Sequence, residues 1–394
     1  MLKSPTLLLT HTPARPLRLI RTTVFSAFVA RAFHSSRAHA EALKIAFCGS
    51  DGFSTESFKA LLAYQQAHPD RVGAVDLITR QPKPKGRGRV TIERTAIQQY
   101  TEADAARAAA VTCFTPESDA EFAELQQQRA YDLVIAVSYG RLIPEAFLAS
   151  LRYGGLNVHP SLLPRYRGAA PLHAALLNRD AYTGVSVQTL HPTKFDHGIV
   201  LFQTPEIPLD TKAETLQSLT AKLAPLGAEG LIQVLDQEYY KNPTDHTVDT
   251  TKYKKSYTKK VTTESRKVNL ATDSVQTVLA KYRVFGSVYL LHEFVIRNKK
   301  KRSEEMVNRR VQLEDSLEDV TTAFSAQHPD LVRTMAIGEY YLDTTDKANS
   351  HLILKLTDGF VAAKSIKMET YSACDAQQLS LSLKKRGIVK QLFI

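Results

Sequence analysis

The chain has 394 residues, 43% of them hydrophobic and 23% charged, which is typical of a globular protein long enough to hold two domains. The sequence contains no run of about 18 apolar residues, so no transmembrane helix is predicted. The three cysteines lie far apart and show neither a CxxC motif nor metal-ligand spacing, which predicts buried or unreactive thiols and no metal site. The net charge of +11 is unevenly distributed: residues 1–40 carry +6, residues 41–250 carry −4 and residues 251–394 carry +9. The basic C-terminal part indicates a polyanionic partner.

The first forty residues contain six Lys or Arg, many Ser and Thr and no acidic residue. This composition predicts a mitochondrial transit peptide, and therefore a location in the mitochondrial matrix. The last ten of these residues, "RAFHSSRAHA", resemble a two-step processing site that ends after Ala40. There are two alternatives, a disordered tail and a secretory signal; against the latter, Arg18, Arg21 and Arg31 interrupt any apolar segment.

From Leu43 onward, short apolar runs alternate with amphipathic stretches. The first, "LKIAFCGSDGFSTESFKALLAYQQ", predicts a strand, a glycine-containing turn and a helix capped by Ser54 or Thr55. Further strands are predicted at "AVDLITR", "YDLVIAVS", "GGLNVHP" and "GVSVQTL". The alternation predicts a mostly parallel, Rossmann-like sheet with helices on both faces. The turn "GSDGF" lacks the full glycine spacing of a dinucleotide-binding loop.

A basic segment, "TRQPKPKGRGR", follows the second of these strands. Its prolines and glycines predict a mobile loop. Its cations, which together form a candidate nucleic-acid contact, are Arg80, Lys83, Lys85, Arg87 and Arg89. A solvated loop without a partner is the alternative.

The stretch "NVHPSLLPRYRGAAP" is not ordinary core sequence. Side chains on a strand repeat every two residues, so Asn157 and His159 are predicted to share one face at the carboxyl end of "GGLNVHP". Asp196 follows in the glycine-containing loop "FDHG". Each residue alone would be interpreted as structural. Together they offer an amide donor, an imidazole and a carboxylate that would favour the charged imidazole.

Beyond this region the polar stretch "YYKNPTDHTVDT" begins a predicted linker, which we place at residues 241–260. The overlapping basic segment "TKYKKSYTKKVTTESRK" interleaves two tyrosines with its cations. Short strands are predicted at "FGSVYLLHEFVI", "IGEYYL", "HLILKL" and "FVAAKSI". The charged residues 297–320 are predicted to form a surface helix or a disordered loop.

Five segments resemble the folate-dependent formyltransferases: "KIAFCGSDGFS", "TRQPKPKGRGR", "VIAVSYGRLIP", "NVHPSLLPRYRGAAP" and "TGVSVQTLHPTKFDHGIVL". The resemblance implies an α/β formyltransferase domain at residues 41–240 and a smaller OB-like β-barrel domain at residues 261–394. It assigns metal-free catalysis to Asn157, His159 and Asp196. The residues that it assigns to folate binding are Ser161, Leu162, Leu163 and Pro164.

The implied reaction transfers the formyl group of the co-substrate 10-formyltetrahydrofolate to an amine. Asn157 and a protonated His159 would donate to the developing oxyanion, and Asp196 would relay a proton. The basic segments favour initiator methionyl-tRNA as the acceptor in mitochondrial translation initiation, and a monomer is expected. The expected tRNA-binding residues are Arg80, Lys83, Lys85, Arg87, Arg89, Lys254, Lys255, Lys259 and Lys260.

Two other functions are compatible with the sequence. An enzyme with the same site could formylate a small amine or hydrolyse formyl-folate, and it would be indifferent to RNA. A mitochondrial RNA-binding protein without activity could have the same fold. The presence of all three candidate acid–base and donor residues favours an enzyme over this second alternative.

Overall fold

The computed structural model describes most of the chain from Glu41 onward. The described residues are 41–85, 91–298, 303–346, 349–369 and 371–385. The predicted transit peptide, residues 1–40, and the predicted tRNA-binding residues Arg87 and Arg89 lie outside them. In the described part, no helix is both long and apolar enough to cross a membrane.

The first part of the chain alternates strands with helices, as its sequence pattern predicts. Its strands are β1 (Leu43–Gly49), β2 (Val72–Ile78), β3 (Lys83–Lys85), β4 (Thr91–Glu93), β5 (Cys113–Phe114), β6 (Leu133–Val137), β7 (Gly155–His159), β8 (Arg167–Gly168), β9 (Tyr182–Thr183), β10 (Ser186–Thr189), β11 (Val200–Gln203), β12 (Ile207–Pro208) and β13 (Tyr257–Thr258). Its helices are α1 (Gly52–Ala67), α2 (Ala96–Glu102), α3 (Ala105–Ala110), α4 (Asp119–Arg129), α5 (Glu145–Ser150), α6 (Pro171–Leu177) and α7 (Leu216–Asp236).

Seven of these strands form the central sheet, in the order β11-β10-β7-β6-β1-β2-β5. The five strands from β7 to β5 are parallel, and β10 is antiparallel to both β7 and β11. The predicted mostly parallel α/β sheet is therefore confirmed. Along the chain, β2 and β5 are added on one side of β1, and β6 and β7 are then added on its other side. Ligands of open α/β sheets bind beyond the carboxyl ends of the strands, near the point where the direction of strand addition reverses.

Helices cover both faces of this sheet because its central strands are apolar on both sides. Phe58 of α1 and Leu223 of α7 share one buried cluster with Ile45 of β1. Phe122 of α4 lies in a second cluster with Ala46, the next residue of β1. Successive residues of a strand point to opposite faces, so the two clusters lie on opposite sides of the sheet.

The start of α1 differs from the prediction. The capping residue is Asp51, whose side chain accepts a hydrogen bond from the backbone N–H of Ser54 at 2.9 Å. The hydroxyl groups of Ser54 and Thr55 lie inside the first turn and donate back to the carbonyl oxygen of Asp51, at 2.7 and 2.9 Å. The predicted cap at Ser54 or Thr55 is therefore wrong. A cap needs extended backbone before the first turn, and Asp51 has it.

The second part of the chain is richer in strands. Its strands are β14 (Ser287–Asn298), β15 (Ser303–Glu314), β16 (Glu318–Asp319), β17 (Tyr340–Asp343), β18 (His351–Lys355), β19 (Phe360–Ala363), β20 (Ser365–Met368) and β21 (Ala373–Cys374). Its helices are α8 (Val275–Phe285), α9 (Thr321–Gln327), α10 (Pro329–Thr334) and α11 (Ala376–Lys385). The four strand segments predicted from the sequence all coincide with strands of this part.

These strands form two four-stranded sheets, β14-β15-β20-β21 and β16-β19-β18-β17, whose pairs are antiparallel. Both sheets contribute to one buried cluster, which includes Leu290 of β14 and Leu354 of β18. Alternating apolar residues on these strands explain the cluster, because one face of each sheet is turned inward. An OB-like closure of the two sheets stays a prediction.

The charged segment 297–320 is largely strand. Residues Ser303–Glu314 form β15, which pairs with β14 from Asn298↔Ser303 to Ser287↔Glu314. The interpretation as a surface helix or a disordered loop is therefore wrong for β15. Its inner half alternates Val311 and Leu313, both buried, with polar residues. Charge hides this period-2 pattern, since only one face of the strand is apolar.

The predicted linker, residues 241–260, packs against the α/β part. The backbone N–H of Val248 donates to the carbonyl oxygen of Val200 in β11 at 2.9 Å. Further along, at Tyr257–Thr258, β13 pairs in parallel with β8. A polar stretch thus follows the surface of the sheet through backbone hydrogen bonds, which need no apolar side chains. The domain boundaries drawn from the sequence stay predictions.

Candidate active site

The carboxyl end of β7 carries two of the three candidate catalytic residues. Leu156 and Val158 are buried in the core, whereas Asn157 is partly exposed. His159 lies two residues further on the same face and is 6% exposed. The strand therefore places an amide where a ligand can reach it, with an imidazole beside it.

Asp196 lies next to both residues, although 39 positions separate it from Asn157. Its Oδ1 accepts a hydrogen bond from Asn157 Nδ2 at 3.3 Å and lies 3.4 Å from Nδ1 of His159. The backbone of Asp196 has φ +57°, a left-handed conformation that is costly outside glycine and clusters at functional sites. The structure thus brings the predicted set together around one carboxylate oxygen, and the catalytic roles stay predictions.

A fourth side chain, Gln188 on β10, reaches the same carboxylate. Its Nε2 donates to Asp196 Oδ1 at 3.0 Å, and the residue is 1% exposed. In the antiparallel register it lies opposite Asn157. Its Oε1 has no hydrogen-bond partner among the described residues. From the sequence alone Gln188 is missed; the available signal is a single amide between apolar neighbours in "GVSVQTL".

The imidazole of His159 is oriented through both ring nitrogens. Nε2 lies 2.9 Å from the carbonyl oxygen of Tyr166, and because a carbonyl only accepts, Nε2 carries a proton. Nδ1 faces Asp196, a contact that is an ion pair when the ring carries both protons. The N–H predicted to meet an oxyanion is therefore already bonded to a carbonyl. Asn157 directs one amide hydrogen at Asp196 and keeps the second for a ligand.

The loop after β7 connects the site to the predicted linker. The backbone N–H of Gly168, in β8, donates to Asp196 Oδ2 at 2.7 Å. The same two-residue strand pairs with β13, and the N–H of Ala169 donates to the carbonyl oxygen of Thr258 at 3.2 Å. One short strand thus holds the candidate catalytic carboxylate on one side and the basic linker on the other.

A partly buried polar network stiffens this loop. The hydroxyl of Tyr166 donates to Asp180 Oδ2 at 2.7 Å and accepts from Asn178 Nδ2 at 2.8 Å. Arg165 Nη2 lies 2.6 Å from Asp180 Oδ1. Burial raises the pKa of the Tyr166 phenol, so the hydroxyl keeps its proton and remains a donor. The carbonyl of Tyr166 is thereby fixed against His159.

The predicted folate-binding segment is mostly buried. The side chains of Ser161, Leu162 and Leu163 are at most 1% exposed. Ser186 Oγ accepts from the N–H of Leu163 at 3.0 Å and donates to the carbonyl oxygen of Ser161 at 2.6 Å. These contacts make the segment a scaffold, in which Pro164 is the partly exposed residue. Folate binding by the four residues stays a prediction.

The predicted tRNA-binding residues of the basic loop are only partly described. Arg80 Nη2 lies 3.5 Å from Glu117 Oε2, and Lys83 is exposed. Residues Lys83–Lys85 form β3, which pairs with β4. This portion is therefore the base of a hairpin and not the mobile loop predicted from its prolines and glycines. Pro84 is compatible with it because a two-stranded hairpin leaves an edge free of partners.

The linker lysines lie around β13, which pairs with β8. All are exposed: Lys254, Lys255, Lys259 and Lys260. Within the part of the chain that the structure describes, no acidic side chain forms an ion pair with them. Exposed, unneutralised cations are available to a polyanion.

Thiol and metal-ligating side chains are dispersed. Over the described residues, no group of three or more His, Cys, Asp or Glu is arranged to hold a metal ion. The free cysteines are Cys48, Cys113 and Cys374. Burial raises the pKa of the Cys48 thiol, which keeps it protonated.

Known proteins match the same region of the chain. The family description "Formyl transferase" matches residues 43–235. The chain is 34% identical over 283 residues to the mitochondrial methionyl-tRNA formyltransferase of Saccharomyces cerevisiae, covering 64% of this chain and 70% of that protein. It is 36% identical over 198 residues to the methionyl-tRNA formyltransferase of Ehrlichia chaffeensis, covering 49% of this chain and 60% of that protein.

Among solved structures, the phosphoribosylglycinamide formyltransferase of Bacillus halodurans is 19% identical with a TM-score of 0.41, and the match covers 50% of this chain and 95% of that one. The sequence identity with the yeast protein exceeds 30%, and the match covers more than two thirds of that protein. The family match contains Asn157, His159 and Asp196. The chain therefore belongs to the formyl transferase family of enzymes.

Proposed function

We propose that this enzyme transfers the formyl group of 10-formyltetrahydrofolate to the amino group of initiator methionyl-tRNA in the mitochondrion. The observation that carries the proposal is the convergence of Asn157, His159 and Gln188 on the carboxylate of Asp196. The name of the yeast relative supports the acceptor and the compartment. The predicted transit peptide supports the mitochondrial matrix as the location, and no resident metal is part of the proposal.

The proposed reaction replaces one carbon–nitrogen bond by another. The amine nitrogen bonds to the formyl carbon, negative charge develops on the formyl oxygen, and the bond to the folate nitrogen then breaks. One proton must pass from the incoming amine to the departing nitrogen. A protein therefore needs a donor aimed at the oxygen and a group that takes and returns the proton.

The candidate residues match these two needs. The second amide hydrogen of Asn157 is the donor, because the first is held by Asp196. Asp196 takes the proton and returns it, and the N–H of Gly168 at 2.7 Å together with Gln188 at 3.0 Å fixes its orientation. His159, when protonated, adds a positive charge 3.4 Å from the same carboxylate and stabilises the developing oxyanion through space.

The tRNA assignment rests on charge. The exposed lysines lie on either side of β13, which pairs with β8 of the site. The cations of the basic loop follow β2 of the central sheet, and β3 at the start of that loop pairs with β4. Phosphate contacts of this kind bind nucleic acid without reading sequence, and they weaken as salt rises. The two sheets of the C-terminal part complete the proposal as an OB-like domain that binds the tRNA backbone in a monomeric enzyme.

Folate is proposed to lie along Ser161–Pro164. The segment begins two residues after His159, and hydrogen bonds between the Ser186 hydroxyl and the backbone of Ser161 and Leu163 hold it rigid. A bound cofactor would meet its partly exposed Pro164 and any backbone group not already bonded. A rigid wall next to the donor residues places the formyl carbon against them at little entropic cost.

The direct test is formyl transfer by residues 41–394, with 10-formyltetrahydrofolate and methionyl-tRNA as substrates and the formylated product measured after deacylation. The proposal expects formylmethionine and a rate that falls with added salt. Turnover with a small amine or with water, insensitive to salt, would instead establish a small-molecule formyltransferase or a hydrolase. Binding of tRNA without any transfer would establish an RNA-binding protein.

Gln188 is expected to position Asp196. The Gln188→Leu variant loses one hydrogen bond to a buried carboxylate, and kcat should fall about tenfold with the KM for methionyl-tRNA unchanged. The Gln188→Glu variant places a second carboxylate there, so its kcat relative to the parent should recover as the pH is lowered and one of the two carboxyls takes a proton. The measurement is kcat from pH 6 to pH 8.5. A flat ratio across this range would show that Gln188 does not act through Asp196.

The basic loop is expected to read the end of the tRNA acceptor stem. The Arg87→Ala/Arg89→Ala double variant should weaken tRNA use while leaving formyl-folate binding intact, because only the polyanion depends on these charges. The two readouts are the KM for methionyl-tRNA and the dissociation constant for 10-formyltetrahydrofolate. Equal loss of both would overturn the assignment, and Lys59→Ala, an exposed cation on α1, is the control.

A further inference from the structure

Tyr257 is an exposed aromatic side chain beside the candidate catalytic loop. It is 65% exposed, and its ring lies against Gly168, where an added Cβ would come within 2.8 Å of Cε2 and 3.0 Å of Cζ. The N–H of Gly168 donates to Asp196. The tyrosine ring is therefore separated from the candidate catalytic carboxylate by a single residue.

The backbone on both sides of Tyr257 is fixed to this loop. Ser256 Oγ accepts from the N–H of Tyr166 at 2.9 Å, and Thr258 Oγ1 accepts from the N–H of Ala170 at 3.1 Å. The neighbouring side chains thus serve as hydrogen-bond acceptors, while the tyrosine ring between them is turned to solvent. A ring held on a rigid strand binds a partner with little loss of conformational entropy.

Cations flank this ring in both directions along the chain. Lys254 and Lys255 precede it, Lys259 and Lys260 follow it, and all four are exposed. An aromatic face within a row of cations is the arrangement that binds single-stranded nucleic acid, since bases stack on the ring and phosphates contact the cations. Bases within a duplex are already stacked and do not offer such a face.

We propose that Tyr257 stacks against a base of the single-stranded 3′ end of the aminoacyl-tRNA and so delivers the methionyl amine to Asp196. This inference rests on the proposed function and adds the contact that positions the acceptor. The amino acid is esterified to the terminal nucleotide, so a base held on Tyr257 confines the amine to the neighbourhood of the loop. Confinement of this kind raises the rate by reducing the entropy lost at the transition state.

The kinetic test compares Tyr257→Leu with Tyr257→Phe. Leucine keeps an apolar side chain against Gly168 but cannot stack, so the KM for methionyl-tRNA should rise about tenfold while the KM for 10-formyltetrahydrofolate stays constant. Phenylalanine keeps the stacking face and should behave as the parent. The salt dependence of the tRNA KM should be unchanged in Tyr257→Leu, whereas it should become weaker in the Lys254→Ala/Lys255→Ala control. A parental KM in Tyr257→Leu, or equal losses in the two tyrosine variants, would overturn the proposal.

A binding test makes the inference independent of turnover. An acceptor-stem RNA whose terminal adenine is replaced by 2-aminopurine loses fluorescence when that base stacks. The parent and Tyr257→Phe should quench it, and Tyr257→Leu should not. If the parent fails to formylate methionyl-tRNA but quenching depends on Tyr257, the proposed function fails and the stacking site stands. If transfer proceeds and Tyr257→Leu quenches as the parent does, the stacking site is wrong and the proposed function stands.

Discussion

Formyl transfer to methionyl-tRNA should fall at least about 100-fold when Asn157, His159 or Asp196 is replaced by Ala, since removing one preorganised donor or one acid–base group commonly costs that much or more. The three losses have different origins. Asn157→Ala removes the hydrogen-bond donor, Asp196→Ala removes the group that carries the proton, and His159→Ala removes the imidazole that faces Asp196. The measurement is kcat for each variant of residues 41–394 at saturating substrates.

These variants should keep their affinity for tRNA, because the exposed cations are untouched. The matched control is Asp70→Asn, which alters an exposed carboxylate before β2, at the opposite end of the parallel strands. Since Asn157 and His159 both contact the carboxylate of Asp196, the effects should not add: the Asn157→Ala/Asp196→Ala double variant should be little slower than Asp196→Ala. Any single variant that retains half of the parental kcat has no catalytic role.

Gly168→Ala should abolish most activity through the backbone alone. Gly168 has φ +104°, and an added Cβ would lie 2.3 Å from the carbonyl oxygen of Thr258. Relief of this overlap must part β8 from β13 or move the N–H that holds Asp196. We expect a loss of about 3 kcal/mol in the free energy of unfolding, and a fall of about 100-fold in kcat because a displacement of about 1 Å can cost that much.

The control for Gly168→Ala separates backbone strain from steric overlap. Gly286, which ends α8, has φ +71° but no heavy atom within 4 Å of an added Cβ. Gly286→Ala should therefore cost about 1 kcal/mol of stability and leave kcat unchanged. Chemical denaturation gives the free energies, and the transfer assay gives kcat. Equal stability losses in the two variants would mean that the contact with Thr258 is not tight.

The part of the site that could be predicted lies on one strand. Asn157 and His159 share a face because strand side chains alternate, and this rule needs only local sequence. The apolar runs of β1 and β6 can also be recognised from local sequence, because strands that are covered on both faces are mostly apolar. Asp196 has a weaker signal, a carboxylate in the glycine-containing loop "FDHG", and the family resemblance supports it where no spacing rule connects it to β7.

What could not be predicted depends on pairing between distant segments. Gln188 joins the site because β10 lies antiparallel to β7 in one particular register, and a shift by one residue would turn it away. The polarity of the linker predicts the linker but not its contacts with the loop. Ser256 and Thr258 make these contacts through backbone and hydroxyl groups, which leave no apolar pattern in the sequence. The strand β15, which pairs with the predicted β14, could not be recognised because its charged residues hide the alternation.

The pairing of β8 with β13 also makes the completion of the site depend on a late part of the chain. Tyr166 and Ser256 are 90 positions apart, so the central sheet can form before the strand that fixes the loop under Asp196 is in place. Contacts between segments so distant in sequence form late, because closing a long loop costs conformational entropy. We therefore expect a chain that ends before β13 to lose activity even where the central sheet is formed.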